Sequence, residues 1–476
     1  MDSDWYMDGV FYDIDVRSFY DGDGDGVGDL QGLGKKLDYL QELGVTAILL
    51  ESSALLEAPA STHGGGTSDA PEGAARVSAF KGLLRDAHER GMHVITELLV
   101  GAISDDGAVD VNHPRVRRAV LRAMRGWFDA GVDGLKLDGI PNLIEREKSS
   151  HQPPPESHLL MTEMREVVDH EYANRALLAA TDRAPGDVAA YFGDGDECHM
   201  VFNTALMPGL LAALQQEHRR SFFQAQRRVP EIPRSCQWAH VLADAGRLAP
   251  LCDHDRRRIE LAWGLLSSLP GAPVINFGDE IGMGGTVVPG GRNGSRGPMQ
   301  WSPYRNGGFS CADPVRLCAP VDSSPDSGYH VVNVETQERR ASSLLNCVRR
   351  LIALRGQHRA LRRGSIEFLE TQNHTVLTYL RRDGDERILV IANLSGKAQS
   401  VDLLLSLYAG TQPVELIGGA NFRVIGAGPY PLALAPYGFY WLLLNRRVAR
   451  VSSSRVVDVG ALRNGTDATE APGIPA

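Results

Sequence analysis

The chain has 476 residues, 43 % of them hydrophobic, and a formal net charge of −10. That is enough for one large domain plus a smaller one, and the acidic balance argues against a nucleic-acid or anionic-membrane partner. No run of 18 apolar residues occurs, the N-terminus is acidic with no hydrophobic stretch behind it, and the six cysteines are scattered without a CxxC pair, so the reading is a cytoplasmic protein with isolated thiols, no signal peptide and no membrane span.

In chain order, the first β-rich run is Val10–Val16. A glycine-rich acidic stretch follows, with carboxylates at Asp21, Asp23, Asp25 and Asp29. A hard cation such as Ca²⁺ takes about six to eight oxygens, and this loop can offer four side chains plus the Val27 carbonyl. Without an ion, carboxylates so close repel one another. The plain alternative is a solvated acidic turn. No organic cofactor is indicated.

Beyond the loop, helical patterns (Leu30–Leu43, Ala79–Arg90, Arg115–Ala130, His158–Val168, Met207–Glu217, Arg256–Ser268) alternate with strand-like runs. Those runs are Ala47–Leu50, His93–Leu99, Gly134–Leu137, Ala176–Ala180, Val241–Leu242 and Pro273–Phe277. Strands that alternate with helices imply a parallel sheet, and about eight such units fit a (β/α)₈ TIM barrel over residues 1–361. A doubly wound sheet is the structural alternative, but no GxGxxG follows the first strand. From Arg362 the helices stop. Ser365–Glu370, Thr375–Arg381, Arg387–Asn393, Ser400–Leu404, Pro413–Leu416 and Gly438–Leu444 read as a C-terminal antiparallel β-sandwich domain over 362–445. Residues 446–476 have little to bury and read as a mobile tail.

Several stretches resemble the α-amylase family, in particular its trehalose synthase and oligo-glucosidase branch. Trp5–Tyr20 resembles the family's first barrel strand, and Gly131–Glu147 its fourth strand with the nucleophile motif. Tyr191–Met200, Gly278–Met283, Pro298–Pro303 and Pro436–Trp441 are similar to that branch. The acidic loop also resembles the branch's metal loop.

The resemblance implies a double displacement on α-glucosides, with a carboxylate nucleophile, a protonated carboxylic acid and a third carboxylate. It carries the nucleophile onto Asp138. Lys136 stands where the family has Arg, keeping the charge and losing the bidentate fork. The general acid's position in the fifth strand is Ala180. Asp182 and Glu97 are the open substitutes for it. After Val241-Leu242 the family's Asn-His-Asp motif is missing, with Asp244 as a substitute. The third strand carries Glu97 for the family's Asp and lacks the substrate-binding His, and the lid domain that follows is largely deleted. Glu51, after the second strand, adds a carboxylate that could converge with Glu97 and Asp138 into new chemistry or form a residual polar rim. His240 reads as a packed barrel residue rather than a base.

These losses imply a degenerate member of the family. Three readings follow: a pseudoenzyme that binds a sugar or partners a related active enzyme or itself as a homo-oligomer; an enzyme with a non-standard site around Asp138, acting on an unusual sugar or natural product; or a purely structural subunit.

Overall fold

The computed structural model describes residues 4–51, 71–99, 113–138, 155–180, 188–243, 246–285 and 297–444. Eight parallel strands close into a ring in sequence order: β1 Phe11–Ile14, β2 Ala47–Leu50, β3 His93–Leu99, β4 Gly134–Asp138, β5 Ala176–Ala180, β6 Met200–Phe202, β7 Gln237–Val241 and β8 Ala272–Asn276. The ring shuts where β8 pairs with β1, with Val274 opposite Phe11 and Asn276 opposite Asp13. Helices including Pro71–Glu89, Pro114–Asp129, Pro155–Glu171, Leu206–Gln215, Arg256–Ser268 and Leu344–Gln357 fall between and after the strands. Their apolar faces, such as Met124, Trp127 and Phe128, join the outward-facing strand residues Val94, Leu135 and Leu177 in one core. The barrel expected from the alternating pattern is therefore present.

Local chemistry explains where elements differ from the sequence expectation. β1 ends at Ile14 because Asp15 caps a short helix, Val16–Phe19, its carboxylate accepting from the Arg17 amide. The pattern expected as one helix over Leu30–Leu43 is two, Leu30–Gly34 and Leu37–Leu43, where glycine weakens helical propensity. β6 has three residues and starts at Met200, the last residue of a stretch legible as a motif rather than as a strand. β7 begins at Gln237, before the expected Val241–Leu242, because inward polar residues interrupt its apolar pattern: the Gln237 amide donates to the Met7 carbonyl at 3.1 Å.

Beyond the barrel lie β9 Ser365–Phe368, β10 Val376–Asp383, β11 Glu386–Asn393, β12 Gln399–Leu403, β13 Val414–Glu415, β14 Tyr430–Leu434 and β15 Phe439–Leu443. A five-stranded sheet in the order β13-β15-β11-β10-β9 packs on the pair β12-β14. β14 escaped the sequence reading because Pro431 interrupts it, which a strand with one unpaired edge tolerates. The β domain is anchored to the barrel by polar contacts. Buried Arg381 donates to the carbonyls of Ser268 and Gly364, and the hydroxyls of Tyr379 and Ser268 meet at 2.6 Å. Among the described residues all six cysteines are free, and no helix is long and apolar enough to cross a membrane.

His240 on β7 is a packed residue. It is 3 % exposed, and its ring fills the space left by the missing side chain of Gly271. Burial, reinforced by the charge of Arg355, pulls its pKa down to about 4 from an ordinary 6.5. The unfolded chain therefore takes up this proton first, so the stability His240 contributes is complete above about pH 6.5 and is lost as pH falls toward 4. A shift of that size corresponds to on the order of 3 kcal/mol. Urea unfolding at pH 7 and pH 4.5 should show wild type losing more stability on acidification than His240→Gln; equal losses would contradict the assignment.

Candidate functional site at the barrel mouth, and the acidic loop

Successive side chains along a strand point to opposite faces, so alternate residues of each barrel strand share the interior. A plug of Phe11, Leu49, Ile95, Leu178, Met200, Ala239 and Val274 fills its lower part, closed from the amino-terminal end by Tyr6. Two residues further along their strands, toward the carboxyl end, stand Asp13 on β1 and Glu97 on β3. Glu97 is the Cα partner of Lys136 on β4. The Lys136 ammonium sits 3.5 Å from the Glu97 carboxylate, with side chains 20 % and 9 % exposed. A polar floor thus lies on an apolar plug. Across the ring, Asn276 on β8 donates to the Ala243 carbonyl at 2.7 Å, tying the end of β8 to the segment after β7.

Asp138 is the last residue of β4, and its Cα partners are Leu99 on β3 and Ala180 on β5. The position opposite the sequence-assigned nucleophile thus carries a methyl group. The next relevant station is the exit of β7. The strand ends at Val241 and the following helix starts at Leu248, so residues 242–247 make the whole connection. Its last residue, Arg247, is buried, donates to the Phe277 carbonyl and lies over the Phe277 ring at 4.7 Å. Its guanidinium is 3.9 Å from Asp279, which also accepts from the Leu248 amide at 3.3 Å. Arg247 thus joins the end of the connection to the exit of β8. Glu51 follows β2 directly, its amide donating to the Ile14 carbonyl at 3.4 Å, and is half-buried. Asp182 and Asp244 lie outside the described residues.

Beneath this rim, Glu280 is fully buried and accepts from Tyr12 at 2.8 Å, Tyr39 at 2.6 Å and the Gly278 amide at 2.8 Å. Burial raises the carboxyl pKa despite the two tyrosine bonds, and burial beside that carboxyl pushes both phenols well above their usual range. This knot fastens β1, the helix Leu37–Leu43 and the exit of β8. Its acid cannot leave without stranding two buried hydroxyls, so it serves the scaffold.

In the acidic loop, the carboxylates of Asp21, Asp23 and Asp29 offer atoms within 4.8 Å of one another, a spacing suited to one cation. Asp25 is turned to the backbone and accepts from the Val27 amide at 2.7 Å. Asp21 accepts from Gly24 at 2.6 Å, Gly26 at 2.9 Å and Ser310 at 2.5 Å. Burial alone would raise its pKa, but these bonds, Ser310 first, outweigh it and hold Asp21 ionised below its usual range. Gly24 and Gly26 have φ of 87° and 105°, which lets their amides turn inward to that carboxylate. Three oxygens are fewer than a hard cation's full set, so water would have to complete it.

Sequence reasoning missed Asp13, Asn276 and the Arg247–Asp279 contact. The first two were legible in principle, as polar residues two positions beyond the plug residues Phe11 and Val274. The third depends on a loop folding back and has no periodic signal.

Comparison with known proteins places these features in context. Residues 14–109 and 105–364 match the pattern of the alpha amylase catalytic domain, and residues 366–441 that of the maltogenic amylase C-terminal domain. The trehalose synthase/amylase TreS of Mycolicibacterium smegmatis is 36 % identical, with 93 % of each chain covered. A trehalose synthase of Pimelobacter sp. is 35 % identical over 93 % of this chain and 96 % of its own. Among solved structures, the α-amylase from H. orenii superposes with a TM-score of 0.72 at 22 % identity, over 91 % of this chain and 99 % of that one. The trehalulose synthase MutB from Pseudomonas mesoacidophila gives 0.71 at 19 %, over 92 % and 99 %. At those identities the superpositions speak for the fold.

Residues in direct contact do not contribute independently to stability. Glu97→Leu and Lys136→Met should each lower stability, and the double variant should lose less than the sum of the two. Denaturant unfolding of the four proteins checks it; additive losses would show that the pair is not coupled.

Proposed function

This chain belongs to the α-amylase family, and we propose that it is a trehalose-synthase-like member that no longer transfers glucose and acts by binding a carbohydrate or by associating with a related active enzyme. The observation that carries this reading is the register of β4 on β5, which sets Ala180 opposite Asp138. In a double displacement the nucleophile attacks the anomeric carbon while the acid gives its proton to the departing oxygen. With a methyl group at the acid's position, the oxygen would leave as an alkoxide. Proton transfer of this kind contributes typically 10² to 10⁴-fold in rate.

Other features support the same reading. The exit of β7 is a short connection pinned by Arg247, with little room for a third carboxylate loop. Between Leu99 and Pro114 the chain has only residues 100–113 where the family carries its lid. The alignment with the M. smegmatis relative runs over 554 residues while taking up 93 % of this 476-residue chain, so the relative carries segments that this one lacks. Asp13, Glu97, Lys136 and Asn276 would still give a sugar's hydroxyls charged and amide partners at the mouth. A second reading, an enzyme using Asp138 on an unusual sugar or natural product, draws on Glu97, a buried carboxylate on the neighbouring strand.

The acidic loop is proposed to hold a structural Ca²⁺ through Asp21, Asp23 and Asp29, with the Val27 carbonyl and water completing the set; Asp25, a ligand in the sequence reading, is not among the converging carboxylates. The cation would neutralise the carboxylates and tie the loop to the segment carrying Ser310.

Three measurements test this. Aryl α-glucosides have a good leaving group that bypasses the acid and so give the most sensitive assay for chemistry at Asp138; wild type and Asp138→Asn should show equal, background rates, and turnover that vanishes in the variant would establish the second reading. A thermal-shift screen over mono- and disaccharides should find a ligand that raises the melting temperature, about 2.7 kcal/mol of stabilisation being expected at 100 times Kd. Chelation by EDTA should lower the melting temperature by a few degrees, with recovery on adding calcium. An unchanged melting temperature would remove the metal.

A further inference from the structure

At the amino-terminal end of the barrel, opposite the mouth, a cavity of about 420 Å³ lies between the helix Trp5–Asp8, the starts of β1 to β3 and the end of the helix Leu344–Gln357. We propose that this cavity is a second ligand site, selective for a phosphate-type oxyanion, free or carried on a sugar.

Arg355 lines the cavity and is 1 % exposed. Its Nη1 donates to the carbonyls of Ser267 at 3.0 Å, Leu269 at 3.2 Å and Leu361 at 2.9 Å, and its Nη2 to that of Gly271. These acceptors are all neutral, so none of these bonds cancels the charge. Its Nε has no acceptor among the described residues. On the same lining Arg362 Nε also has no acceptor among the described residues, while His93 Nδ1 faces Asp133 at 3.6 Å. Buried donors of this kind are rarely left unmade in native proteins.

Charge points the same way. The carboxylate lining the cavity is Asp8, and it is already shared, at 3.1 Å from Arg362 and 2.9 Å from Arg363. Arg381 adds to the positive field. Burial, Arg381 and Arg362 together depress the Arg355 pKa to about 9, with Asp8 opposing them. An oxyanion supplies acceptors and negative charge at once, and guanidinium groups suit phosphate geometry. The volume is within the range of small-molecule sites and admits a phosphorylated hexose as well as phosphate. Trp5, stacked on His93 at 4.0 Å, gives the cavity an aromatic wall against which a pyranose could rest. None of these residues belongs to the mouth, so the proposal stands independently of any activity there.

The test uses the full chain, with inorganic phosphate and glucose 1-phosphate titrated by calorimetry and followed by melting temperature, against sodium chloride at matched ionic strength and glucose alone. Phosphate or the sugar phosphate should bind and raise the melting temperature beyond chloride. Arg362→Gln, checked for wild-type circular dichroism, should weaken binding at least tenfold, while Arg423→Gln, at an exposed arginine of the β domain outside the cavity lining, should bind as wild type does. Tighter binding of the sugar phosphate identifies an esterified ligand, and equal binding identifies free phosphate; either supports the site. No binding at 10 mM, equal affinity in Arg362→Gln, or binding of glucose as strong as that of its phosphate would overturn it.

Discussion

Closing eight parallel strands into a ring forces alternate side chains of every strand into one shared interior. Once the ring is shut, the register between neighbours decides which residue faces which, and no loop rearrangement can change it. Here that constraint fixes the apolar plug below, the Glu97–Lys136 pair above it, and Ala180 as the residue opposite Asp138. A missing acid on a mobile loop could be replaced by its neighbour. A missing acid at the end of a barrel strand leaves the position to whatever the register presents.

The contacts that hold the barrel together are separate from the residues of its mouth. Glu280 binds Tyr12 and Tyr39 in a buried knot, Arg247 joins the exit of β7 to Phe277 and Asp279, and Arg381 joins the β domain to the barrel. The positions on which the proposed loss of glucosyl transfer rests are Lys136, Glu97 and Ala180 on strands, and the connections after β3 and β7. In this architecture the carboxyl-terminal ends of the strands and their loops carry chemistry, and the remainder carries stability. Membership of the family therefore does not by itself establish the activity of its relatives.

The sequence made the barrel legible because long amphipathic helices such as Arg256–Ser268 and near-continuous apolar strands such as Ala47–Leu50 have strong periodic signals. The start of β7 and the whole of β6 were not legible. A three-residue strand has no period to read, and Gln237 and His240 break an apolar run for reasons, a carbonyl at Met7 and a gap at Gly271, that exist only in three dimensions. The carboxylates of the acidic loop stand out by spacing, yet which of them converge does not: all four accept backbone amides of the turn, and only Asp21, Asp23 and Asp29 come together. The cavity at the amino-terminal end was invisible in the sequence, since Trp5, His93 and Arg355 are brought together by closure alone.

The most direct test of the account follows [1-¹³C]maltose by carbon NMR at high protein concentration over a day. If register has left the site without an acid, the anomeric signals of maltose persist and neither trehalose nor free glucose rises above the protein-free control. Growth of a trehalose anomeric resonance that requires Asp138 would show that another group supplies the proton, and would contradict the account.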